Sequence, residues 1–81
     1  MEPIEVTATF DSMGIAHPLK FIWKGSVYQV ASSGRRWQDQ AGQHIMVMDH
    51  QARAYELIFV PSETRWYLNL GNLTRKWALS S

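Results

Sequence analysis

Residues 4–10 alternate without a break, with Ile4, Val6, Ala8 and Phe10 facing one way and Glu5, Thr7 and Thr9 the other. A period of two marks a half-buried strand, because successive side chains leave a strand on opposite faces. Similar patterns recur along the chain. Leu19, Phe21 and Trp23 share a face, as do Tyr28 and Val30, and the runs 44–48, 53–60 and 66–70 are rich in β-branched and aromatic residues. There is no long amphipathic helical pattern, so the chain must solve its folding problem with strands.

The segments between these runs are turn-forming. Residues 11–14 (Asp, Ser, Met, Gly) follow the first strand, and Lys24-Gly25 reverses the chain inside a tight hairpin spanning 19–30, with Gly25 at positive φ. Residues 32–34 end that hairpin, 35–39 are short and polar apart from Trp37, and 40–43 form a turn. A second hairpin pairs 44–48 with 53–60 across residues 49–52, and 61–64 lead to a last strand at 66–70. Gly71-Asn72 breaks the pattern, and the tail 71–81 is read as either a short C-terminal helix capped by Asn72 or an added edge strand. Five or six short strands in one domain of 81 residues call for an antiparallel sheet curled on itself, since a small barrel removes the exposed edges that invite aggregation. The expected class is all-β, an SH3-like barrel, with a five-stranded OB-type barrel as the alternative. Its expected core is Phe10, Phe21, Trp23, Tyr28, Tyr55, Leu57, Phe59 and Trp66.

Composition narrows the chemistry. Cysteine is absent, which excludes disulfides, a thiolate metal site and a cysteine nucleophile. A net charge of +1 gives no global field for nucleic acid, so any such binding must rest on local patterning. The first residues lack the basic and apolar segments of a signal peptide, and no run approaches a membrane span, so the expected location is cytoplasmic with no membrane partner.

Several of these residues also carry a resemblance. Phe21, Trp23 and Gly25 with Tyr28 and Val30, then Arg36-Trp37, then Tyr55-Glu56-Leu57 and Trp66-Tyr67-Leu68, resemble a family of small bacterial domains of unknown function, over roughly residues 4–70. Some members of that family lie beside, or are fused to, translesion-synthesis proteins. The resemblance implies the fold, and a DNA-repair or damage-tolerance context. It implies no catalytic residue.

Each of the four tryptophans has a cation beside it: Lys24 after Trp23, Arg36 before Trp37, Arg65 before Trp66, Lys76 before Trp77. On a strand such neighbours point to opposite faces, so adjacency alone makes no stacked pair. Trp23 and Trp66 share faces with apolar residues and read as core, their cations merely solvated. Trp37 has Arg35 and Asp39 as same-face neighbours and reads as a lid over the barrel or a contact residue; Trp77 lies beyond the last strand. If Arg35, Arg36, Trp37, Arg75, Lys76 and Trp77 converge, they make a patch on which bases stack while cations hold phosphates. The same residue types anchor protein interfaces. The function expected is therefore a non-catalytic binding module for single-stranded nucleic acid, or alternatively a protein-interaction adaptor acting as a homodimer or accessory subunit. No cofactor and no small-molecule substrate is inferred. His44, Met46 and Met48 form a soft-ligand row, read as core filling rather than as a copper site. Asp49-His50 sits in a turn with no nucleophile to complete a catalytic site, and Glu56 is expected on the outer face, paired with a cation.

Overall fold

In the computed structural model, residues 1–70 are described, and they form seven strands: β1 (Glu2–Phe10), β2 (Ala16–Trp23), β3 (Ser26–Gln29), β4 (Ser32–Gln38), β5 (Gln43–Met48), β6 (Ala54–Val60) and β7 (Arg65–Leu68). All pairings are antiparallel, in one sheet of order β3-β2-β1-β7-β6-β5-β4. The two edge strands, β3 and β4, are consecutive in the chain and separated by only Val30 and Ala31. Flat, seven strands would hold their edges about 29 Å apart at about 4.8 Å per step. The link from Gln29 to Ser32 reaches at most roughly 11 Å. The sheet must therefore curl, and it does so as a half-barrel. Val30 N–H donates to the Leu19 carbonyl at 2.9 Å while Ala31 N–H donates to Met48 at 2.7 Å, so neighbouring residues hold opposite sides of the sheet.

The curled inner face carries the core: Phe21, Ile45, Val47, Tyr55, Leu57, Trp66 and Leu68, with Trp23, Tyr28 and Phe59 packed against it. Phe21 stacks on Tyr28 with ring centroids 5.1 Å apart, and Tyr55 meets both edge-on. Such contacts add about 0.5–1.5 kcal/mol each beyond the area they bury.

Strand count, one core assignment and one face assignment differ from the sequence reading. Residues 32–38, read as a strand end followed by a polar stretch, are β4; an edge strand buries few side chains, so its polarity is no bar. Leu19 is 49% exposed although Phe21 is buried. Pairing shifts between Thr7 opposite Lys20 and Ala8 opposite Pro18, a bulge that places Leu19 as the extra residue and reverses the alternation across it. Phe10 is 52% exposed, at the end of β1, where it meets Phe59 edge-on at 5.6 Å. The tail, with Leu73, Arg75, Lys76 and Trp77, lies outside the described residues, as does the choice between helix and edge strand.

The β2–β3 hairpin turns as expected. Lys24 and Gly25 have φ of 51° and 77°, both positive, as a two-residue type I′ turn between Trp23 and Ser26 requires. Lys24 is not merely solvated: its Nζ lies 5.2 Å from the Trp23 ring centroid, and the Trp23 indole N–H donates to Glu2. Gly42 is constrained differently, by contact as well as φ, since a Cβ there would stand 2.4 Å from the Phe59 carbonyl oxygen.

These two glycines separate two costs. Gly25→Val meets no neighbour and should lose about 1 kcal/mol or more from backbone strain alone. Gly42→Ala must move the β6 backbone and should lose roughly 2 kcal/mol or more. Urea denaturation checks both, and equal midpoints for Gly42→Ala and wild type would contradict the packing described.

Candidate functional site

Three loops of the described chain begin with aspartate, and each aspartate does the same work. Asp11 Oδ1 accepts the amides of Met13 (2.9 Å) and Ile15 (3.0 Å); Asp49 Oδ1 accepts those of Gln51 (2.9 Å) and Arg53 (3.0 Å); Asp39 Oδ1 accepts those of Ala41 (2.9 Å) and Gly42 (3.3 Å). A short carboxylate that bonds amides two residues on stabilises a turn before any tertiary contact forms. Each also reaches a side chain on the strand after its loop: Asp11 to His17 (3.0 Å), Asp49 to Tyr55 (3.0 Å) and Asp39 to His44 (2.8 Å). Burial and the bond to Asp49 push the Tyr55 hydroxyl up to about 12.

Asp39 and His44 belong to a larger cluster. His44 Nδ1 lies 2.6 Å from Glu56 Oε2, and its Nε2 lies 2.8 Å from Asp39 Oδ1. His44 is 6% exposed and Glu56 3%. Glu56 is thus not an outward residue matched to a cation in solvent, as the sequence suggested, but the buried partner of an imidazole. Two carboxylates on one ring are satisfied in full only when both nitrogens carry protons. Burial opposes the charge on His44, but the bonds to Glu56 and Asp39 outweigh it, so its pKa lies above the ordinary 6.5. The hydrogen bond from His44, joined by the turn amides, holds Asp39 below its ordinary 3.8.

Trp37, opposite His44 in the β4–β5 pairing, stacks on the imidazole with centroids 4.8 Å apart and planes 12° from parallel. Arg35 lies over the same indole at 5.0 Å. The guanidinium that stacks is therefore the one two residues away, on the same face, and not its sequence neighbour. Arg36 goes elsewhere: its Nη1 donates to the Ala16 carbonyl at 2.7 Å, tying β4 to the start of β2. Beside this ledge runs an open groove of about 410 Å³, with Met13 and Ile15 on one side, Arg36, Trp37 and Gln38 on the other, and His44 among its lining. Met13 is 83% exposed.

Of the six residues expected to form a binding patch, Arg35, Arg36 and Trp37 share this region, with Arg36 spent on a structural contact; Arg75, Lys76 and Trp77 lie outside the described residues. Sequence reasoning missed Met13, Ile15, His44 and Glu56. The one available signal for the last two was a polar residue inside each of two apolar runs. His44 and Glu56 are diagonal neighbours, since Met46 pairs with Glu56 and His44 with Ile58, so finding them needed the hairpin register. The soft-ligand row is not core filling as read: it faces away from the core cluster, with His44 buried, Met46 half-buried and Met48 exposed.

No family model, curated protein or solved structure matches this chain. Among the described residues no helix is long and apolar enough to cross a membrane.

The cluster sets a pH dependence. The folded pKa of His44 is above 6.5, so its contribution to stability is complete below 6.5 and is lost as pH rises through the raised value. Asp39 acts in the opposite sense, contributing above 3.8 and losing that contribution as pH falls through its lowered value. An NMR titration of the His44 ring should give a midpoint above 6.5, and the urea midpoint of wild type should fall relative to that of His44→Gln as pH is raised past it. A ring midpoint at or below 6.5 contradicts the assignment.

Proposed function

We propose that this chain is a non-catalytic, cytoplasmic binding module that takes a protein partner in the groove beside Trp37. The observation that carries the reading is the placement of exposed Met13 and Ile15 in one groove with Trp37 and Arg36, with Arg35 stacked on the Trp37 indole. Trp, Met and Arg are the residue types enriched at protein interfaces, and an aromatic beside an apolar cleft is the usual form of an anchor. A non-catalytic role is supported by the chemistry of the lining, which includes no hydroxyl or thiol, and by His44, whose two nitrogens are both held by carboxylates.

Single-stranded nucleic acid is the second reading, and the Arg35–Trp37 stack favours it because a base can exchange for a guanidinium on an indole. Two features weigh against it. His44 already occupies part of the indole, and Arg36 is directed at a carbonyl rather than at solvent. A homodimer would use the same groove; a damage-tolerance setting rests on the family resemblance alone.

The readings separate in two titrations. A labelled oligothymidylate should bind the full chain weakly or not at all, at low and at physiological salt; affinity that falls steeply with salt and is lost in Arg35→Ala would establish the nucleic-acid reading instead. Selection from a displayed random-peptide library should yield binders that Trp37→Ala or the surface change Met13→Ser releases. Binders indifferent to both changes would place the docking surface elsewhere.

A further inference from the structure

The half-barrel has a slot. Among the described residues β3 pairs only with Lys20–Trp23 of β2, which leaves the beginning of β2 paired on one side alone, by β1. Among the described residues β4 is the other edge of the sheet, paired only with β5. These two half-paired edges lie beside each other, and what spans the gap is the Arg36 side chain, bonded to the Ala16 carbonyl. Main-chain hydrogen bonds hold neighbouring strands about 4.8 Å apart, and a gap crossed by a whole arginine side chain is wider than that. A row of unpaired main-chain groups on an edge strand is a template for another strand.

The charges around the slot are unbalanced in one direction. Among the described residues the ion pairs are histidine–carboxylate pairs, and the nearby acids, Asp11 and Asp39, are each held by loop amides and a histidine. Arg35 and Arg36 face an indole and a carbonyl, with no carboxylate among the described residues. Among the described residues, the Arg36 guanidinium that lines the groove has no carboxylate partner.

Building on the protein-partner reading, the geometry points to an extended segment of the partner that adds as a strand to the free edge of β4, with apolar side chains at alternate positions seated against Met13, Ile15 and Trp37 and a Glu or Asp at the intervening positions paired with Arg36. Arg36 swings off Ala16 to admit the strand and exchanges a carbonyl for a carboxylate, a stronger acceptor. Main-chain bonds supply affinity and the alternate side chains supply specificity, as in other strand additions.

The test uses the full chain and fluorescein-labelled peptides of about ten residues, a usual strand length, in which Val alternates with Thr and Glu. Three partners accompany it: a Gln-for-Glu peptide, a peptide N-methylated along one edge, and oligothymidylate. The Glu peptide should bind, shift the amide resonances of β4 in NMR, and lose about tenfold in affinity both in Arg36→Ala and on Gln replacement, with the variant binding the Gln peptide as wild type does. N-methylation should abolish binding. Equal binding of the N-methylated peptide overturns strand addition while leaving the groove reading intact, and equal binding of the Gln peptide overturns the carboxylate. If the Glu peptide fails while library-selected peptides still bind through Trp37, the proposed occupant is wrong and the module stands. If only oligothymidylate binds, or the chain sediments as a dimer whose interface covers β4, the slot belongs to nucleic acid or to a second copy.

Discussion

Two residues, Val30 and Ala31, join strands at opposite edges of a seven-stranded sheet, and most of the architecture follows from that restriction. A link of that length brings the edges together only if every intervening strand turns, so curvature is imposed by connectivity and does not depend on a particular side chain. The curl gathers one face of β2, β5, β6 and β7 into a shared core, and it leaves the edges close without joining them along their whole length. The groove and the Arg36 tether occupy the unjoined part. Fold and candidate site are thus two results of one constraint.

Within that frame the loop aspartates hold the hairpins. Each bonds amides of its own loop and also a side chain on the strand that follows, so a local turn and a piece of tertiary structure are fixed by one carboxylate. At Asp39 the second contact reaches His44, and through it the buried Glu56 and the face of Trp37. Trp37 is held from below by a ring that two carboxylates orient. Positioned this way, an aromatic at the rim of a groove loses little conformational freedom when a partner arrives, which favours affinity.

How far the site was readable depends on the range of the contacts involved. Trp37 and Arg35 stand two apart on one strand, and period-two alternation placed them on a common face. Arg36 alternates to the other face, and its bond to Ala16 spans 20 residues of sequence, so no local pattern indicates it. Leu19 failed for another reason: the bulge between β1 and β2 shifts parity by one, and neither strand's sequence marks where the extra residue goes.

By itself the sequence determined the class of structure and its punctuation. Alternation specifies strands because side chains must partition between water and a core, and Gly25 with the three loop aspartates specifies turns through backbone conformations and hydrogen bonds a few residues long. Only the tertiary structure decided that residues 32–38 are an edge strand, that Phe10 and Leu19 face solvent, and that His44 sits between Glu56 and Asp39 under Trp37. Those outcomes depend on register and closure, in which pairs distant along the chain compete for the same neighbours, and a shift of one residue sends each side chain of a strand to the other face.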